Sequence, residues 1–207
     1  MGMNRLVLNE RDAYAEARSY EREAREKEKM GDCGVAIELW KRYAELKERK
    51  GSYFLAIYGY SNVARLCDRC QHWGEAAAFF ELASKLAAKI GEYSLWMLLM
   101  NLTCQMFEKL GDYEACTKCY ETLGNFFDKV HNFFGSADAY EHAAETMALA
   151  GNDIADYEAP IRAWKKNYEY WKEKGEIDDA EWSLKRMGAY LTFQNTKNTE
   201  KIHTDGK

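Results

Sequence analysis

The feature that most constrains this chain is a glycine that returns every twenty residues. Gly31, Gly51, Gly91, Gly111 and Gly151 fall on one grid, and Gln71 and His131 occupy the two grid points without glycine. Two residues after each point stand Cys33, Tyr53, Trp73, Tyr93, Tyr113, Phe133 and Asp153, of which five are aromatic. Five residues after it stand Ala36, Ala56, Ala76, Trp96, Cys116, Ser136 and Asp156, small up to Ser136 apart from Trp96. Nine residues after it stand Trp40, Tyr60, Phe80, Met100, Tyr120, Tyr140 and Pro160, large and apolar or aromatic in the first six. Three columns in step along most of the chain mark an internal repeat.

A glycine closes a helix where the backbone turns left-handed. The aromatic residue two places on starts the next helix. The small residue lets a neighbouring helix approach, and the large one lies a turn further along the same face. Each unit is therefore one helix of roughly 16 residues, about 25 Å long, followed by a tight turn. Two units make an antiparallel hairpin. The spacing predicts helices at 34–50, 53–70, 74–90, 93–110, 113–129 and 133–150.

After Gly151 the register slips, because the next glycine that fits is Gly175. Pro160 suits the first turn of a new helix. That helix is expected to carry Ala163, Trp164, Asn167, Tyr168 and Trp171 on one face. A last helix at 177–192 is expected to carry Ala180, Leu184, Met187 and Leu191. The segment from Tyr93 to Phe107 is apolar on nearly every side, which predicts a helix buried all round at the centre of the stack.

The expected architecture is thus all-α: a right-handed superhelical stack of antiparallel helix hairpins, about nine helices at twenty residues each. Three parts are expected. Residues 1–30 form a charged N-terminal capping helix with a thin stripe of Ala13, Ala17, Tyr20 and Ala24. Residues 31–192 form the repeat domain. Residues 193–207 form a disordered tail without periodicity.

Composition narrows the function. The 207 residues carry 34 acidic and 29 basic side chains, a net charge of -5. That balance gives no sign of the basic face that nucleic-acid binding requires. No apolar run approaches the ~20 residues of a membrane span, and the N-terminus lacks the apolar core of a signal peptide. A cytoplasmic location is expected, with the six cysteines reduced.

The cysteines form two Cys-x-x-Cys pairs, Cys67/Cys70 and Cys116/Cys119. A metal-binding or redox protein is the reading they support. A zinc knuckle, however, needs its pair on a turn, and a thioredoxin-type site needs a βαβ context. Both pairs here fall inside predicted helices, where Cys67 and Cys116 sit on columns as small buried hydrophobes. Asp138 and His142 make half of a metal site with no visible second half. No nucleophile–base arrangement or phosphate loop appears, so no enzyme activity, cofactor or metal is expected. Phe126 and Phe134 are surplus to the repeat and stand near a helix corner. They are the candidate partner-binding residues, against a protein or, peripherally, a membrane.

The columns resemble tetratricopeptide-like repeats. Gly111-Asp112-Tyr113 with Cys116 and Tyr120 follows that family's second-helix pattern, and Met100, Cys104 and Phe107 supply the first. Trp73, Ala76, Phe80 and Ala83 follow Tyr60 and Ala64 in the same way. Phe133, Ser136, Tyr140 and Ala143 follow Tyr120, Gly124 and Phe127. The closing proline is missing and the period is forty. Longer hairpins of this kind resemble the soluble NSF attachment proteins and the huntingtin-associated, factor VIII intron 22 family. Arg42 to Met187, with Trp73-Gly74-Glu75-Ala76 and Leu82-Ala83, shares features with the latter. The resemblance implies a scaffold or adaptor in vesicle or endosome traffic, whose partner is a helix or extended segment of a larger helical-repeat or trafficking protein. It also leaves open a tetratricopeptide co-chaperone, although Ser61, Arg65, Asn101 and Gln105 do not form the usual Lys/Asn clamp.

Overall fold

The computed structural model describes the backbone of residues 2–150 and 157–204, and the side chains of residues 13–150 and 157–196. Among the described residues there are nine helices and no strand. They are α1 (Gly2–Lys29), α2 (Cys33–Arg49), α3 (Tyr53–Arg69), α4 (Trp73–Lys89), α5 (Tyr93–Leu110), α6 (Tyr113–Lys129), α7 (Phe133–Leu149), α8 (Glu158–Lys174) and α9 (Ile177–Thr204). Six helices start on the residue two places past a grid point, as the columns require.

The turns explain this regularity. Gly31, Gly51, Gly91, Gly111 and Gly175 all have φ between 73° and 79°. Gly151 lies outside the described residues. At Gly51 the backbone N–H bonds the Glu48 carbonyl, and the Ser52 N–H reaches back to Lys47 O at 2.9 Å. These two bonds define a left-handed helix stop. The same long return bond runs from Asp32 to Lys27, His72 to Cys67, Glu92 to Ala87 and Asn132 to Phe127. Each of these residues is also the N-cap of the next helix. Asp32, Asp112 and Asn132 accept a bond from the backbone N–H three residues on, satisfying one orphan donor. Asp32 and Asn132 thus each end a helix with the backbone and open the next with the side chain.

The chain divides into two compact units, Met1–Gly111 and Asp112–Lys207. In the first, consecutive helices from α1 to α5 pack on one another. The large column forms the core, with Trp40, Tyr60 and Phe80 at 4% exposure or less and Met100 at 8%. Ala36, Ala56 and Ala76 are fully buried beneath them. The α2–α3 contact is especially close. A Cβ on Gly59 would lie 2.8 Å from Ala44 Cβ and 3.0 Å from Ala44 Cα. In α1, Ala17 and Ala24 are buried, with Ala13 and Tyr20 packed beside them.

α5 corrects the expectation drawn from its composition. Leu99, Met100, Thr103, Cys104 and Met106 are buried, but Leu98 and Tyr93 are exposed. An apolar surface is buried only where another element covers it, and α4 covers one arc of α5.

In the second unit α6, α7, α8 and α9 pack consecutively. Tyr120 and Tyr140 are buried, as are Cys116 and Ser136. Pro160 sits in the first turn of α8, where its missing N–H costs no helical bond. α8 buries Ala163, Trp164 and Asn167 as expected, with Tyr168 and Trp171 half-buried.

α9 departs from expectation twice. Its buried residues are Ala180, Ser183 and Tyr190, with Met187 packed beside them, while Leu184 and Leu191 are exposed. Polar contacts chose this face. The Ser183 hydroxyl accepts from Asn167 Nδ2 at 3.0 Å and donates to Asp179 O. The Tyr190 hydroxyl donates to Glu145 at 3.2 Å. The helix also continues past 192, the end expected from the loss of periodicity. No glycine or proline stands between Thr192 and Thr204, and Phe193 stacks on Tyr157 at 6.2 Å. No described helix is long and apolar enough to cross a membrane.

Candidate partner-binding surface

The second unit presents a group of rings built from the start of α7. Asn132 caps that helix through the Gly135 N–H, 3.0 Å from its side-chain oxygen, which fixes the direction of the first turn. Neighbouring residues on a helix point about 100° apart, so Phe133 and Phe134 diverge. The Phe133 ring lies 5.7 Å from Tyr170 of α8. Phe134 stacks on Trp182 of α9 at 5.7 Å and 23°, and stands edge-on to Trp164 of α8 at 5.9 Å. Trp164 and Trp182 are T-shaped at 5.0 Å. Trp164 is 1% exposed, whereas Phe134 and Trp182 remain 47% and 45% exposed. The result is an aromatic step with a buried base and two open faces.

The base is fixed by polar contacts. Trp164 Nε1 donates to Glu141 Oε2 at 2.9 Å. Arg186 Nε donates to the same oxygen at 3.2 Å, and its guanidinium forms an ion pair with the other. The Glu141 carboxylate is buried, so these partners offset its desolvation. Further links join the helices. Asp128 of α6 accepts from Ser136 of α7 and from Lys166 of α8, each at 2.8 Å. Rings held this firmly lose little side-chain freedom when an apolar group settles on them. The arrangement has the chemistry of an apolar anchor site.

Of the two candidate residues, Phe134 belongs to this step. Phe126 instead lies edge-on to Phe127, its neighbour in α6, at 5.9 Å. Trp182 escaped the sequence reading. Its signal was present: a tryptophan two residues past Ala180, off the expected apolar face and flanked by Glu181 and Ser183.

The cysteine pairs are placed differently from one another. Cys116 and Cys119 are both buried in α6. Cys67 is fully buried in α3, where burial and nearby Glu75 push its thiol up to about 11. Cys70 is half-buried at the cap of α3. His142 is exposed between Asp138 at 3.9 Å and Glu145 at 3.6 Å, and stacks on Tyr120. Among the described residues no group of three or more His, Cys, Asp or Glu could hold a metal ion.

No family model and no curated protein matches the chain. Solved structures do. A signal transduction ATPase with numerous domains, bearing a tetratricopeptide repeat sensor, from Pyrococcus horikoshii aligns with a TM-score of 0.53 at 15% identity over 96% of this chain. This chain spans 31% of that protein's length. BtubC from P. vanneervenii aligns at 20% identity over 90% of this chain and 92% of that one, with a TM-score of 0.28. A putative kinesin light chain with tetratricopeptide-like repeats from Podosopora anserina aligns at 12% identity over 86% and 95%, with a TM-score of 0.31. The fold is that of a tetratricopeptide-like helical repeat, in agreement with the first of these.

Proposed function

We propose that this chain is a non-enzymatic scaffold that binds a protein partner, and that the aromatic step of Phe134 and Trp182 is an anchor point. The observation that carries this reading is the stacked, half-exposed ring pair over the fixed Trp164. An apolar residue of a helix or extended segment fits such a step. The finer role proposed is adaptor work in cytoplasmic vesicle or endosome traffic, supported by the resemblance over Arg42 to Met187.

The test is proximity labelling in cells with the wild-type chain and with the Phe134→Ser/Trp182→Ser double substitution. Both residues are surface-exposed, so circular dichroism is expected to be unchanged. Labelling of the main partners is expected to fall at least tenfold, as the loss of one anchor of about 1.4 kcal/mol or more implies. Phe126→Ser serves as the comparison. Undiminished labelling by the double variant would remove the aromatic step from the reading. Partners unrelated to vesicles, endosomes or large helical-repeat proteins would remove the traffic role and leave the scaffold.

A further inference from the structure

In these hairpins the first residue of one helix comes beside the cap of the next. Tyr53 opens α3 and Ile90 caps α4, and the two line one surface cleft. Lys89 Nζ donates to the Tyr53 hydroxyl at 2.9 Å. A similar approach occurs at α4 and α5, where Cδ2 of Leu110, the last residue of α5, lies 3.8 Å from the place a Cβ on Gly74, the second residue of α4, would take.

One repeat earlier, the positions of Tyr53 and Ile90 are held by Cys33 and Cys70. Cys33 opens α2, Cys70 caps α3, and both are half-buried. The neighbouring Cys33 side chain, together with partial burial, holds the Cys70 thiol above its ordinary value. Cys33 is also the exception in its column. Every other described helix on the grid begins with an aromatic residue.

The remaining thiols do not compete. Cys67, Cys104, Cys116 and Cys119 are buried. Cys67 lies one turn from Cys70, but it is fully buried in α3, where a peroxide in solution does not reach its sulfur. The Cys67/Cys70 pairing suggested by sequence spacing therefore gives way to a pairing across two helices.

We propose that Cys33 and Cys70 form a reversible intramolecular disulfide that staples the start of α2 to the end of α3 when the chain meets a peroxide. The thiolate of one cysteine attacks a peroxide oxygen, giving a sulfenic acid and water. The thiolate of the other attacks that sulfur, the S–S bond forms, and hydroxide leaves to become a second water. The two thiols lose two electrons and two protons, and the peroxide takes them up. A small-molecule dithiol reverses the bond by exchange. The proposal is independent of the partner-binding step, which lies in the other unit.

The test uses the reduced full-length chain treated with hydrogen peroxide, then alkylated and digested with trypsin without reduction. Cleavage after Arg69 separates Cys67 from Cys70, so the pairing is read directly. The expected result is loss of two free thiols, a linked peptide pair containing Cys33 and Cys70, a monomer by size, and full reversal by dithiothreitol. Closing a loop of this length is expected to raise Tm by about 5 °C or more. Cys33→Ser and Cys70→Ser should each lose both the link and the rise. A Cys67–Cys70 link, a chain-to-chain disulfide, oxidation of Cys33 or Cys70 that stops at a single sulfur, or no thiol loss would each overturn the proposal.

Discussion

Gln71 and His131 carry the strain of the repeat. Their φ values of 62° and 57° match those of the grid glycines, although each bears a Cβ. A left-handed residue other than glycine costs on the order of 1–3 kcal/mol, partly offset by the freedom that glycine loses on folding. Gln71→Gly and His131→Gly are each expected to raise stability by about 0.5–1 kcal/mol. Urea denaturation midpoints measure this, and a fall in either midpoint would refute it. These positions were legible in the sequence as gaps in a grid. That the backbone keeps its conformation across the gap follows from its neighbours: the His72 and Asn132 return bonds need that turn whichever residue fills it.

The buried tyrosines set an upper limit of pH. Burial pushes Tyr43 up to about 12, and raises Tyr60 and Tyr190, which also donate to Glu48 and Glu145. An unfolded tyrosine ionises near 10. Above that pH the unfolded chain releases protons that the folded chain retains, so the stability present below pH 10 is lost as pH rises towards 12. Absorbance titration at 295 nm is expected to show a late-ionising group among the 14 tyrosines, merging into the main step in denaturant. A single transition near pH 10 in the folded protein would show the burial to be ineffective.

At the scale of the helix, the close approach of α2 and α3 is set by Gly59. Alanine there would gain about 1 kcal/mol of helix propensity. Its Cβ would, however, meet Ala44 backbone and the Tyr43 ring at 3.0 and 2.9 Å. Backbone cannot swing aside as a side chain can, so the two helices must part. Gly59→Ala is expected to lower stability by a net ~1 kcal/mol or more. A neutral or stabilising result by calorimetry would mean the helices sit further apart. Helix positions were readable because the turns repeat. Helix faces were less so. The columns count from a turn, and α9 follows the slip after Gly151, so its face was decided by Asn167, Ser183, Glu145 and Tyr190 finding partners. No apolar pattern encodes that choice. Phe134 was visible as an extra aromatic, whereas Trp182 becomes meaningful only beside Trp164.

For the molecule as a whole, contacts in repeat proteins run mainly between neighbours, and stability is roughly a sum over them. The first unit holds its own core, from Ala17 to Met106. A fragment of residues 1–111 is therefore expected to be helical by circular dichroism and to unfold cooperatively in urea. A featureless, non-cooperative melt would show that its core is incomplete.

The doubly used turn residues have a consequence for how such a chain can change length. Where Asp32 or Asn132 both finishes one helix and begins another, no spare link exists between them. A single inserted residue would rotate everything downstream by about 100° and turn each large column away from its neighbour. Growth or loss would have to come in whole helices, like adding cars to a train whose couplings are built into the cars. The register breaks once, after Gly151, and there α7 ends at Leu149 while α8 starts only at Glu158. The sequence interval between α7 and α8 is longer than the two or three residues between the other helices, and insertion of an odd number of residues is expected to be tolerated best there.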